Sequence, residues 1–456
     1  MLSIHTADTA DDVTALDQKN MHVAKEANVQ AICTGGTADD LTALYQKINW
    51  RLLPFLLVGY LFAYLDRVNI GFAKLQMQSD LGFSDAAYGV GAGIFFIGYV
   101  LFELPSNLML PKVGARKTFS RILILWGITS ASMLFVHSVP MFYAMRFLLG
   151  VFEAGFAPGI IYYLSCWYGP QRMARAIALV FLAGPLGGII GGPLSAWLIT
   201  SLSGTAGLAG WQWMFLVEGL PCILLGIAAA AFLPNRPADV AWLSQGEKQL
   251  LAVELTTSAA GTHSFWAVAK NPRIYVLATA YFCIIATIYA MSFWLPTLIA
   301  AQGVTDTLQL GRYSALPYIA AAFAMYYMGR RSDRLGERRL HCAIPAAVGG
   351  LLLAASIFTD GHLTASLVLL TLAISAFWMA YTVFWAMPSE HIKGPAAAGG
   401  IALINTIGLS GGFWGPAIIG WANVSTGNSH LGILIIAALP VTAACIILAS
   451  KRPAPR

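Results

Sequence analysis

The stretch Gly329-Arg330-Arg331-Ser332-Asp333-Arg334-Leu335-Gly336-Glu337-Arg338-Arg339 sets a glycine, an acid and a cluster of arginines between two long apolar runs. A second loop, Asn107-Leu108-Met109-Leu110-Pro111-Lys112-Val113-Gly114-Ala115-Arg116-Lys117, lies 222 positions earlier and keeps the glycine and the basic pair. Further along, Gly191-Gly192-Pro193 and Trp414-Gly415-Pro416 are separated by 223 positions. Two independent pairs whose offsets agree to within one residue identify two related halves in the chain.

Around these loops the chain is apolar on a scale that a soluble core does not need. Of its 456 residues 58% are hydrophobic and 11% charged, with a mean hydropathy of +0.69, where a soluble domain is roughly 45–50% apolar and about 25% charged. The surplus must face lipid. Runs of about 20 apolar residues, the length that crosses a bilayer, fall near 52–70, 88–110, 119–137, 141–167, 175–201 and 212–233. A second set falls near 274–300, 312–329, 341–358, 363–387, 398–422 and 430–449. The expected fold is an all-α membrane protein with twelve transmembrane helices in two six-helix pseudo-repeats. The expected division is a polar tail (1–47), a first bundle (48–233), a linker (234–272), a second bundle (273–450) and a short tail (451–456).

The 27 Lys and Arg decide orientation. With both termini in the cytoplasm, 23 of them fall in inside segments, Arg67 and Arg146 lie within spans, and only Lys74 and Arg312 are left outside. That bias is the positive-inside pattern, and it leaves no basic face for nucleic acid. Cys33, Cys166, Cys222, Cys283, Cys342 and Cys445 are scattered singly without metal-like spacing. The first 46 residues lack the apolar core of a cleavable signal. They contain a near-duplicate, TADDVTALDQK at Thr9–Lys19 and TADDLTALYQK at Thr37–Lys47, the second read as a short helix leading into span one.

The pattern from Gly329 to Arg339 resembles the signature loop of the major facilitator superfamily, and the likeness covers residues 48–450. In the first copy Pro111 stands where that loop carries an acid. The stretches Tyr64-Leu65-Asp66-Arg67-Val68-Asn69, Gly98-Tyr99 through Glu103-Leu104-Pro105-Ser106-Asn107, Gly114-Ala115-Arg116 and Arg146 through Gly150-Val151-Phe152-Glu153 resemble the anion:cation symporters, most of all the tartrate and phthalate permeases. The resemblance implies proton-coupled uptake of a small organic carboxylate by alternating access, with protons as the coupling ion and no cofactor. It further implies a charge latch at Gly329, Asp333, Arg334, Gly336 and Arg338, a cargo hydrogen bond from Tyr99, and a polar position at Asn405. A multi-pass protein of a bacterial inner membrane is expected, monomeric, with a small organic anion and the lipid bilayer as its partners and no nucleic acid.

The residues themselves point the same way. Asp66, Arg67, Glu103, Arg146, Glu153 and Glu218 are ionisable yet lie within spans of the first half, and such groups mark transport pathways by default. At ~1.5 Å of rise per residue, Arg67 falls near the outer quarter of the membrane, Arg146 at a similar depth, and Glu153 ~10 Å deeper on the face of Arg146. The two guanidiniums are read as a clamp for one anion, since their planar forks match a carboxylate. Glu153, then Asp66, are the candidates for the coupling proton, because burial and a neighbouring arginine pull a carboxyl's proton affinity in opposite directions. A static pairing of these acids with the arginines is the alternative. Glu103 and Glu218 are read as structural.

The second half offers Trp378, Tyr381, Thr382, Trp385 and Asn405 as a wall for the uncharged part of the cargo, with Thr382, Trp385 and Asn405 taken as binding residues. Packing is the plainer role for such aromatics. Glycines and prolines in spans five and eleven are the expected rocking surfaces. Gly184 and Pro185 leave span five without a polar side chain, which weakens a sugar-acid reading. A proton-driven antiporter of the same fold and a non-transporting anion sensor remain as alternatives. Gly408-Leu409-Ser410-Gly411-Gly412 matches a nucleophile elbow in letters only, since no strand precedes it, and no enzyme is expected.

Overall fold

A computed structural model describes residues 38–256, 270–388 and 396–450. The duplicated tail up to Thr37 with Cys33, residues 257–269 of the linker, Lys393 and the last six residues lie outside the described residues.

All regular structure among the described residues is helical. The first half is built from α1 (Ala38–Leu81), α2 (Asp85–Val113), α3 (Ala115–Ser132), α4 (Val139–Glu153), α5 (Phe156–Ser165), α6 (Pro170–Phe181), α7 (Ala183–Ser201) and α8 (Gly210–Phe232). A linker helix α9 (Gln245–Thr256) follows. The second half comprises α10 (Pro272–Ala300), α11 (Thr307–Leu335), α12 (Arg339–Ala355), α13 (Leu363–Phe384), α14 (Ala396–Leu409), α15 (Gly411–Thr426) and α16 (His430–Ala449). Spans four, five and eleven are each made of two helices, α4–α5, α6–α7 and α14–α15. The break in span four has a local cause. Gly155 has φ +88°, and a Cβ there would stand 2.5 Å from Ser106 Oγ, so only glycine lets the chain turn immediately after Glu153.

Among the described residues eleven segments are long and apolar enough to cross a membrane. The remaining expected span lies on α11, which is 29 residues long but carries Arg312 near one end and Arg330, Arg331, Asp333 and Arg334 near the other. Charge at its two ends lowers its hydropathy while its length still suffices. The twelve-helix, two-bundle expectation therefore holds. One correction concerns Lys74, expected outside the membrane: α1 runs on to Leu81 and buries Lys74 to 1% exposure.

The halves meet along α7 with α11, α2 with α15, and α1 with α10. Spans five and eleven thus lie in the interface, as their glycines suggest. A Cβ on Gly93 would come within 2.6 Å of the Phe413 carbonyl, so the α2–α15 contact is backbone on backbone. The linker docks on the first half through Lys47 and Glu247, 3.0 Å apart, and through Arg51 lying 4.6 Å over the Trp242 ring.

The signature loops close each half in the same way. Arg116 Nε donates to the Leu233 carbonyl at the end of α8 (2.7 Å). Arg339, 223 positions later, donates its Nε to the Ile447 carbonyl at the end of α16 (3.3 Å). In the second loop Asp333 and Arg338 pair at 2.6 Å, Arg338 also donates to Ser332 Oγ, and Gly336 turns the chain with φ +62°. Glu337 caps α12 by accepting from the backbone N–H of Leu340 (2.8 Å) and His341 (3.2 Å). Partial burial pushes its carboxyl up, but those N–H groups and His341 outweigh it and hold the group below the usual glutamate value.

Candidate functional site between the two halves

Arg67 on α1 and Glu153 on α4 form a buried ion pair, with Arg67 Nε 2.9 Å from Glu153 Oε1 and Nη2 directed at the same oxygen. The remaining nitrogen, Nη1, donates to the Tyr289 hydroxyl of α10 at 3.0 Å. This guanidinium therefore joins both halves. Beneath it lie Tyr99, with ring centroid 5.4 Å away, and Phe95, 5.6 Å away. Arg146 approaches the Phe95 ring to 5.3 Å, so the two guanidinium carbons are within about 11 Å of each other. Arg146 donates Nε to the Gly91 carbonyl (3.3 Å) and Nη2 to that of Ala92 (3.2 Å), which staples α4 to α2. Its Nη1 and the Glu153 Oε2 are buried without hydrogen-bond partners.

Arg67 thus reaches Glu153, one helical stretch along α4 from Arg146, while both guanidiniums flank the Phe95 ring. Helix α1 continues fourteen residues beyond Arg67. Asp66, one residue away, points elsewhere. Its Oδ1 accepts from Ser130 (2.9 Å) and, more weakly, from Asn69 (3.3 Å). Asn69 in turn donates to Glu218 (2.8 Å), which also accepts from Ser195 (2.8 Å). These groups belong to α1, α3, α7 and α8 and form a polar knot inside the first half. Successive helical residues are about 100° apart, so neighbours in sequence serve different faces.

Of the residues expected to bind cargo, Tyr99 lies under Arg67, whereas the second-half set is already partnered. Thr382 donates to the Trp378 carbonyl (2.9 Å). Trp385 packs edge-on to Tyr281 at 4.8 Å, and Tyr281 also stacks on Phe384 at 5.0 Å. Asn405 donates to Glu103 Oε1 across the halves at 2.9 Å. Glu103, expected to be structural, thus sits in the interface. Tyr289, Phe95 and the Glu103–Asn405 bridge were not singled out in the sequence. Ser410 falls at the α14–α15 break and donates to the Ile407 carbonyl, so the elbow-like letters form no elbow.

The end of the bundle away from the termini and the linker is closed. Lys74 pairs with Asp85 at 3.0 Å, lies 3.7 Å from the Trp294 ring centroid and donates to Thr297 at 3.2 Å. Asp85 accepts from Asn423 (2.9 Å), Tyr88 donates to the Phe293 carbonyl (3.0 Å), and Trp294 donates to the Pro416 carbonyl (3.2 Å). Lys74, Asp85 and Tyr88 belong to the first half, and their other partners to the second. No cluster of metal-ligating side chains occurs among the described residues.

Comparison with known proteins agrees with this architecture. The Major Facilitator Superfamily profile matches residues 56–416. A protein of Pseudomonas putida, assigned by name as the metabolite transport protein NicT, is 45% identical over 408 residues, covering 89% of this chain and 92% of its own length. A protein of Agrobacterium vitis, assigned by name as a tartrate transporter, is 44% identical, covering 90% and 92%. A quinolone resistance transporter of Acinetobacter baumannii is 40% identical, covering 86% and 91%. The crystal structure of a bacterial homologue of the human lysosomal transporter Spinster, inward-facing and unoccupied, superposes with a TM-score of 0.72 at 17% identity, over 87% of this chain and 95% of that one. Its likeness concerns the fold. From its two six-helix halves, the profile match over most of its length and relatives of this similarity, the chain belongs to the Major Facilitator Superfamily and is a multi-pass membrane transporter of small metabolites, not an enzyme.

Proposed function

We propose that the protein takes up a small organic carboxylate together with protons, across a bacterial inner membrane and with both termini in the cytoplasm. The observation that carries this reading is the Arg67–Glu153 pair held against Tyr289 between the halves. A buried guanidinium needs one negative partner, and here either Glu153 or a cargo carboxylate can supply it. Protonation of Glu153 frees Arg67 for the anion, and departure of the anion restores the pair once Glu153 loses its proton. Proton and anion are thereby linked through one cation. The Glu153 Oε2, buried without a hydrogen-bond partner, is the oxygen that would carry that proton. Asp66, fastened within the first half, serves structure in this scheme.

Alternating access follows from the interface. With the far face closed by the contacts of Lys74, Tyr88 and Trp294, the linker face is in this reading the side on which the halves part, and in the proposed orientation it is the cytoplasm. Close backbone contacts along α7–α11 and α2–α15 are the surfaces about which the halves rock. The names of relatives do not decide cargo for this chain, but a relative assigned to tartrate favours an anion, and one assigned to quinolone resistance favours an exporter.

The test is uptake by the purified protein in liposomes under an inward proton gradient, with labelled organic acids. Uptake that collapses with a protonophore supports symport. Failure of every acid, with gradient-driven movement of cationic dyes or quinolones instead, would overturn it in favour of antiport.

A further inference from the structure

Two cations on α1 meet α10 in the same way. Arg67 donates to Tyr289, 222 positions later, and Lys74 donates to Thr297, 223 positions later; these are the spacings that relate the two halves. Each cation is also paired with an acid of its own half, Arg67 with Glu153 and Lys74 with Asp85. Seven residues separate them, so they lie on one face of α1, ~10 Å apart along its axis. One stripe of α2, formed by Asp85, Tyr88, Ala92, Phe95 and Tyr99, follows them inward. Lys74 lies 3.0 Å from Asp85 and 5.1 Å from the Tyr88 ring. Arg146 comes next, donating to the Ala92 carbonyl at 3.2 Å and flanking Phe95 at 5.3 Å. Arg67 follows, 5.6 Å from Phe95 and 5.4 Å from Tyr99. The three cations thus form a ladder from the closed far face to the Arg67–Glu153 pair.

Resting on the transport reading above, we propose that Lys74 is the entry site for the cargo carboxylate. In the closed far face its ammonium group is covered by the Trp294 ring at 3.7 Å and by Thr297 at 3.2 Å, both of the second half. When the halves part at this face those contacts are lost, and Lys74 stands at the mouth of the opening with Asp85 beside it. Asp85 can release it. This carboxylate lies in the first turn of α2, where unpaired N–H groups and the helix dipole favour negative charge. It also accepts from Gln78 of the same half at 2.7 Å, and its side chain is 30% exposed. An anion arriving from the far side therefore displaces Asp85 from Lys74 without stranding a bare carboxylate in the protein. The next rung is Arg146, whose Nη1 is buried without a hydrogen-bond partner, and below it Arg67 exchanges Glu153 for the anion. A cation at the mouth offsets the cost of stripping water from the carboxylate before Arg67 is reached. Lys74 thus has two roles in turn, fastening the face when it is closed and binding the anion when it is open.

The experiment uses the full chain in proteoliposomes under an inward proton gradient, with labelled tartrate and labelled phthalate as probes and initial rates measured over a range of concentrations. Three variants separate binding from fastening. Trp294→Leu loosens the far face but keeps the ammonium group, Lys74→Met loosens it and removes the charge, and Lys74→Arg keeps a cation in place. The KM of Lys74→Met should exceed that of Trp294→Leu by about tenfold, the loss of one charged hydrogen bond, with the same maximal rate in both. Lys74→Arg should hold KM within about twofold of the unaltered protein. Asp85→Asn gives an effect of opposite sign: it removes the competitor for Lys74 while leaving an acceptor for Gln78, so its KM should fall below that of Trp294→Leu. Equal KM in Lys74→Met and Trp294→Leu overturns the proposal and leaves Lys74 a fastener of the far face. A KM that Asp85→Asn leaves at the Trp294→Leu value or raises above it overturns the proposal as well, and this arm decides if melting curves show that Lys74→Met does not fold. If the unaltered protein moves neither acid, the carboxylate reading itself fails and the proposal falls with it.

Discussion

Replacing Lys74 with methionine should open the far face of the protein. The ammonium group is 1% exposed and touches the second half twice, at the Trp294 ring (3.7 Å) and at Thr297 Oγ1 (3.2 Å). A desolvated cation–π contact contributes about 2 kcal/mol, and a long hydrogen bond from a charged donor about 1 kcal/mol. The pair with Asp85 lies within the first half and persists whichever way the halves rock, so it does not bias the equilibrium. Loss of the cross-half contacts thus removes about 3 kcal/mol of preference for the closed far face, a shift of roughly a hundredfold in the ratio of the two states. Asp85, left without its cation, has a side chain 30% exposed, so water covers much of its charge and the fold survives. Methionine keeps the length of the side chain and its packing. The assay is a spin-label distance measurement between Ser79 and Asn428, exposed at this face on opposite halves, after replacing Cys33, Cys166 and Cys445. Lys74→Met should move population into longer distances. An unaltered distribution in both Lys74→Met and Trp294→Leu would refute the reasoning.

Three further outcomes follow from the same contacts. Glu153→Gln leaves Arg67 without its carboxylate, so anion binding should become less sensitive to pH and net uptake should no longer respond to the proton gradient, while exchange of labelled for unlabelled anion persists; flux measured with and without a gradient checks this. Arg116→Ala and Arg339→Ala each unfasten a signature loop from the last helix of its half, and each should lower the stability of the detergent-solubilised protein by about 1–3 kcal/mol, read as a lower melting temperature and, if the halves are equivalent, by similar amounts. Glu337 has a carboxyl held below its usual value, so its contribution to stability is present above the value of about 4.3 for a free glutamate and is lost as pH falls through the lowered one; Glu337→Gln should remove that acid-dependent part of the melting curve and cost about 1 kcal/mol at neutral pH.

Much of the fold was legible in the sequence because its signals are local or periodic. Apolar runs gave the spans, repeated loops gave the two halves, and Gly192 and Gly415 pointed to spans that meet across the interface. Part of the site was legible too, since Arg67 and Glu153 are the charges that the structure brings together. Their partners were not. Tyr289 lies 222 residues from Arg67 and Asn405 lies 302 from Glu103, and no local pattern reports such contacts. Lys74 was misplaced for a related reason: the polar residues Gln76, Gln78, Ser79 and Asp80 that follow it read as a loop, although they form the last turns of α1. Buried against Trp294 and paired with Asp85, a lysine there satisfies requirements that only the folded interface makes visible.

The asymmetry between the halves has a mechanical consequence for the proposed cycle. Arg67 and Glu153 belong to one half, so their mutual compensation survives any rocking of that half against the other. The charge of Arg67 is not stranded when the cargo leaves. The contacts that must be exchanged are instead those from the first half to neutral groups of the second: Arg67 to Tyr289, Lys74 to Trp294 and Thr297, and Glu103 to Asn405. Separating a charge from a neutral partner costs less than separating two opposite charges, whose attraction grows as the dielectric falls. Placing the ion pairs next to the interface, Arg67–Glu153 and Lys74–Asp85, inside one half and only neutral partners opposite them therefore keeps the barrier to rocking low. A substitution that moved a charge into the second half, such as Tyr289→Glu, would give Arg67 a second anionic partner across the interface. It should lock the halves together and slow exchange far more than Tyr289→Phe, which merely removes one hydrogen bond. Equal rates in the two variants would show that the interface does not work this way.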